Sequence, residues 1–190
     1  MKPQLGDTIL NRYTLVSSLR EEPGIQAWKA NDRVLAKDCQ LFIITNRSAF
    51  AAIDELAGRM AATRPDRVIP VLKYRMESDV LLIVMPVDSG QCLTDYMVDT
   101  AKPLSYSAIR SIIGECANVL REVIADTPSG IVITTDTVRV TTSGVQIADA
   151  PCATMLADTS ATDLRTDGPE RYAIRQLAAL LYTLLTRTPS

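Results

Sequence analysis

Asp136 and Asp149 are the side chains whose type and spacing come nearest to doing chemistry. Asp136 closes the stretch SGIVITTD (129–136) and Asp149 lies in QIADAP (146–151), with two short extended runs between them meeting at Ser143-Gly144. Carboxylates at either end of a hairpin are oxygen ligands of the kind a hard cation takes. One or two carboxylates alone bind a cation weakly at most, and both residues also suit plain turns or caps. Other chemistries are closed at once. The chain has no histidine, which removes Ser-His and Cys-His nucleophiles, His-ligated zinc and histidine acid-base catalysis together. Its cysteines, Cys39, Cys92, Cys116 and Cys152, lack the short spacing of a metal knuckle or redox motif and read as buried free thiols.

Alternating apolar patterns show which elements must position these residues. YTLVSSL (13–19), IQAWKAND (25–32) and DCQLFIIT (38–45) predict three strands of an antiparallel meander, with REEPG as the first turn. SAFAAIDELAGRMAATR (48–64) predicts a helix with Ser48 as N-cap and Pro65 as stop. RVIPVLKYRM (67–76) and DVLLIVMPVD (79–88) predict a further hairpin. Pro86 and DSGQ (88–91) mark a boundary. Beyond it, 92–100 and 105–126 predict helices, the second with Ile109, Ile112, Ile113, Cys116, Val119, Leu120 and Val123 on one broad apolar face. Two short strands follow, then a loop over 152–168 and an apolar helix over 170–190, whose Leu177, Leu180, Leu181, Leu184 and Leu185 are expected to present uncovered surface.

The chain's 190 residues, 47% hydrophobic and 22% charged, are enough for one ample core or two small lobes. Lys and Arg are scattered singly at a net charge of −2, so no footprint for nucleic acid is present. The longest apolar run, VLLIVMPV (80–87), is far below the ~20 residues of a membrane-spanning helix, and MKPQLGD lacks a secretory apolar segment. A cytoplasmic domain is expected.

The order of these elements resembles a bacterial Ser/Thr protein kinase. The phrases GDTILNRYTLVSSL, GIQAWKANDRVL, LLIVMPVDSGQCLTDYM, TVRVTTSGVQIADAP and LAALLYTLLTRTP occur in the sequence of such a domain's successive landmarks. The resemblance implies an α+β, two-lobe kinase-like fold. Residues 1–87 would form an N-lobe, with a five-stranded antiparallel sheet plus one helix, and 88–190 a shortened, mostly helical C-lobe.

Kinase catalysis is positioning plus charge neutralisation, so it needs specific groups. Where the resemblance puts the Gly-rich loop, LREEPGI keeps only Gly24, beside Glu21 and Glu22, which would repel a triphosphate. Phe42 falls at the strand lysine, and moving the register by two gives Gln40. Glu55 falls at the helix glutamate, without its ammonium partner. SGIVITTD aligns with His-Arg-Asp-Leu-Lys-Pro-x-Asn, which puts Ile131 at the base, Ile133 at the phosphate-contacting lysine and Asp136 at the magnesium asparagine. Asp149 falls at the metal aspartate, followed by Ala150 and Pro151 in place of Phe and Gly. Lys29 and Lys37 are the alternative lysines, both on turn or edge positions. The expectation is a filled site, with Phe42, Ile131 and Ile133 buried together.

The resemblance is nearest to the pseudokinases of actinobacteria, including those attached on the cytoplasmic side to the peptidoglycan lipid II flippase family. It implies a catalytically inactive docking scaffold without cofactor or metal, phosphorylated by a genuine Ser/Thr kinase and read by a forkhead-associated domain in cell-wall regulation. Thr154, Thr159, Ser160, Thr162 and Thr166 are then the candidate phosphoacceptors, although threonines are also common in loops. Self-association through the 170–186 helix is a second expectation. The alternative is a weakly active kinase or an ATP-binding switch.

Overall fold

The computed structural model describes residues 3–77, 79–98, 103–126, 131–153 and 168–187. The chain divides into two compact units, one of residues 1–62 and 70–87, the other of 63–69 and 88–190. The segment 63–69, read from sequence as part of the first lobe, thus belongs to the second unit.

The first unit is an antiparallel sheet of six strands in the order β1-β2-β3-β4-β6-β5. β2 (Tyr13–Glu22), β3 (Ile25–Asp32), β4 (Lys37–Ile44), β5 (Lys73–Glu77) and β6 (Val80–Pro86) are the five expected strands, and β1 (Thr8–Ile9) adds a two-residue edge. β2 runs through the polar REE that suggested a turn, because Glu21 and Glu22 keep their ladder partners Gln26 and Ile25 while their side chains stay exposed. The reversal is left to Pro23-Gly24. Gly24 has φ of +80°, and a Cβ there would lie 2.7 Å from the Asn46 side chain, so two independent constraints select glycine. One sheet face carries a core of Tyr13, Leu15, Trp28, Ala30, Leu41, Ile43, Leu82 and Val84. Alternation places Phe42 and its two cross-strand partners, Ala27 and Ile83, on the opposite face. Helix α1 (Phe50–Thr63) buries Phe50, Ile53, Leu56, Ala57 and Met60. Its approach is a 3-10 turn over Arg47–Ala49 capped by Asn46, whose side chain accepts from both Ser48 N–H and Ser48 Oγ. The cap is therefore Asn46 and not Ser48.

In the second unit, β7 (Gln91–Cys92) comes first, followed by α2 (Leu93–Val98) and α3 (Tyr106–Asp126); β8 (Val138–Thr141) and β9 (Gly144–Ile147) then complete a small sheet in the order β7-β8-β9, and α4 (Pro169–Thr186) packs on α3. Of the apolar face foreseen on α3, every member is buried except Ile113, which is half-buried. Val68 pairs with Ile147 as a parallel bridge, reinforced by Ile69 N–H to the Ile147 carbonyl at 2.9 Å and Ile147 N–H to the Arg67 carbonyl at 2.8 Å. Residues 67–69 thus pair alongside β9, and of the strand predicted over 67–76 only Lys73–Glu77 joins the hairpin with β6. Leu181 and Leu185 of α4 are exposed as expected, whereas Leu180 and Leu184 are buried and Leu177 half-buried, which corrects that expectation for these three. The exposed stripe consists of Ile174, Leu181, Tyr182 and Leu185.

Candidate functional site

The residues singled out from sequence fall into two groups. Gly24, Phe42 and Glu55 belong to the first unit, in a turn, a strand and a helix. Phe42 is 0% exposed. Lys29, two residues along β3 from Phe42's partner Ala27, is bound by Asp38 at 2.8 Å, and Lys37 is exposed at the start of β4. Glu55 is a solvated helix carboxylate, 63% exposed, paired with Arg59 one turn on at 2.7 Å.

Ile131, Ile133, Asp136 and Asp149 belong to the second unit, and the structure organises them around two side chains that sequence reasoning passed over. Gln176 of α4 is the first. Its Nε2 donates to the Ile131 carbonyl at 3.1 Å and its Oε1 accepts from Ile133 N–H, so one side-chain amide pairs with a segment of extended backbone. The isoleucine side chains are buried beside this clamp, Ile131 at 1% exposure. Buried Thr137 closes the same loop, donating to the Val132 carbonyl at 3.0 Å and accepting from Thr134 N–H at 2.9 Å.

Arg139 of β8 is the second. Its Nε donates to Asp88 at 2.6 Å, one terminal nitrogen donates to the Asp136 carbonyl and lies 3.4 Å from Cys92 Sγ, and the other lies 3.9 Å from Asp149. The Arg139 side chain is 13% exposed and the Asp149 side chain 8%. Burial alone would depress the Arg139 pKa, but the Asp88 hydrogen bond and the surrounding negative groups outweigh it and leave the pKa raised. Asp149 adopts φ of +57°, a left-handed conformation that Asp tolerates better than most residues, and its carbonyl accepts from Cys152 N–H at 2.8 Å. Burial, helped by the Asp149 charge, pushes the Cys152 thiol well above its ordinary range. Asp136 is exposed, and its carboxylate accepts from Thr94 Oγ1 at 2.7 Å, tying the loop to the start of α2. Asp136 and Asp149 are thus brought to one cluster, where the cation beside them is an arginine of the same chain. Among the described residues no group of three or more His, Cys, Asp or Glu side chains is arranged to hold a metal ion. Thr154, Thr159, Ser160, Thr162 and Thr166 lie outside the described residues.

No protein-family model matches this sequence, and none of the curated proteins matches it either. The fold is nonetheless that of the protein kinases: α+β, an antiparallel sheet with one helix followed by a shortened, mostly helical unit. Among solved structures, the apo form of PpkA-294 is similar with a TM-score of 0.77 at 14% identity, over 99% of this chain and 80% of that one. Rad53 1–466, solved in complex with AMP-PNP, is similar with a TM-score of 0.74 at 16% identity, over 94% of this chain and 49% of that one. The likeness is one of fold. No helix among the described residues is long and apolar enough to cross a membrane.

Proposed function

We propose that this kinase-fold protein is a docking scaffold that does not transfer phosphate. The single observation that supports this most strongly is Phe42, a fully buried phenyl ring flanked in register by Ala27 and Ile83, at the position where the kinase resemblance calls for a phosphate-contacting lysine. A buried ammonium there would need a partner, and the neighbours on either strand are hydrocarbon. The other positions agree. Ile131 has no group to accept a proton, Glu55 is engaged by Arg59, and the turn at Gly24 carries exposed Glu21 and Glu22 where phosphate-binding amides would be needed.

In this reading a genuine Ser/Thr kinase modifies the 154–166 segment, and a forkhead-associated domain reads the resulting phosphothreonine through its charge of about −1.5 to −2. A second copy of the chain docks on the Ile174, Leu181, Tyr182 and Leu185 stripe of α4. The deciding experiment is thermal unfolding with ATP and Mg²⁺ or Mn²⁺. A ligand at a hundred times its Kd stabilises a protein by ~2.7 kcal/mol, and no shift is expected. A reproducible upward shift would replace the scaffold reading with that of a nucleotide-binding switch or weak kinase.

A further inference from the structure

We propose that Arg139 is a built-in counterion: one permanent positive charge, carried on β8, that gathers Asp88, the Asp136 carbonyl and Asp149 so that this part of the second unit keeps its shape without any metal ion. The inference deepens the scaffold reading, in which no exchangeable cation is needed.

The geometry is that of a guanidinium used on all its edges. Nε meets Asp88 at 2.6 Å, the two terminal nitrogens face the Asp136 carbonyl and Asp149, and Cys92 Sγ lies 3.4 Å away. These partners come from the chain before α2, from the 131–137 loop and from the turn after β9, so a single side chain joins segments far apart in sequence. Its planar fork of donors suits several oxygens at once, which a lysine's point charge does not. Both Arg139 and Asp149 are largely shielded from water, where an uncompensated carboxylate is costly. A divalent cation approaching Asp149 would meet a like charge 3.9 Å from that carboxylate, already engaged with Asp88 at hydrogen-bond distance. Guanidinium, unlike a metal ion, can be neither removed by a chelator nor deprotonated at any ordinary pH.

The test is a charge cycle followed by thermal unfolding in EDTA, MgCl₂ or MnCl₂. The wild-type melting temperature is expected to be the same in all three. Arg139→Met is expected to melt lower by about 5–10 °C, with faster reaction of Cys92 towards a thiol reagent. The triple variant Arg139→Met, Asp88→Asn, Asp149→Asn, which also removes the two carboxylate charges that faced the guanidinium, is expected to recover at least half of that loss. If Arg139→Met does not fold, the triple variant must. The proposal is overturned by an Arg139→Met protein that melts with the wild type, by a triple variant no more stable than the single one, or by a wild type whose melting temperature rises with Mn²⁺ alone. An ATP-dependent shift with the charge cycle intact would instead overturn the scaffold reading and leave this one standing.

Discussion

The surroundings of Phe42 in the first unit and of Arg139 in the second are held together by opposite physics. Around Phe42 the neighbours are hydrocarbon: Ala27 and Ile83 face it in register, and none of the three side chains needs a polar partner. Around Arg139 the carboxylates persist, and the chain supplies the opposing charge itself. The first solution gains stability from apolar burial and tolerates any side chain of similar shape. The second is directional, because each hydrogen bond depends on the position of its partner, and loss of one member weakens the hold on the others. Packing and pairing therefore respond differently to mutation.

Four measurements sharpen that contrast, starting with the largest effect. Phe42→Ala removes a fully buried ring and is expected to cost about 3–5 kcal/mol in urea unfolding, while Phe42→Leu, which conserves shape better, costs about 1.5 kcal/mol or less. A Leu variant as damaging as Ala would mean that the site is not simple packing. Gln176→Ala leaves the Ile131 carbonyl and Ile133 N–H without their partner, and a loss of about 1–3 kcal/mol is expected, with faster amide exchange over 131–137. Gln176→Leu, which fills the volume without the bonds, should not rescue it.

Acid provides the third measurement. Arg12 donates two bonds to Asp32, at 2.8 and 2.6 Å, and with help from Val34 and Leu35 N–H holds its carboxyl at about 2, below the ordinary 3.8. A depressed folded-state pKa stabilises the protein above the unfolded value, and that contribution disappears as pH falls from 3.8 towards about 2. Wild type is expected to lose stability across this window, and Asp32→Asn to lose less there after starting from a lower stability at neutral pH. Equal acid slopes in the two proteins would show that Asp32 is not the group responsible. The smallest effect is expected from Glu55→Ala, within about 0.5 kcal/mol of wild type, since the Arg59 pair is exposed and spans a single helical turn. A larger loss would show that Glu55 has a task beyond solvating α1.

What the sequence discloses follows from the range of the forces concerned. β3 over Ile25–Asp32 was legible to the residue because alternation is a local signal, and the apolar face of α3 was legible because helical spacing is. The strand expected over 67–76 shrank to Lys73–Glu77 because Pro70 lacks an N–H for the ladder and because 67–69 found a partner in β9, far along the chain. Asn46 displaced Ser48 as cap because the 3-10 turn starts the helix region earlier, a choice of backbone geometry that both side chains permit. Arg139 left a faint mark, a lone cation between Val138 and Val140. Its partner Asp88 lies 51 positions away, beyond any local pattern. Gln176 was hidden for the same reason, since 45 positions separate it from the carbonyl of Ile131. The uncovered stripe of α4 was foreseen as a property of the helix but assigned partly to the wrong leucines, because only the position of α3 decides which side of α4 is dry.

The Gln176 clamp makes the rotation of α4 about its own axis and the shape of the 131–137 loop a single mechanical variable. An α-helix turns about 100° per residue, so inserting one residue in α4 ahead of Gln176 would carry the amide more than a quarter turn away from Ile131 and Ile133 while hardly changing the helix's length. Whatever grips the outer stripe of α4 and twists it acts, through that one amide, on backbone at the opposite side of the helix.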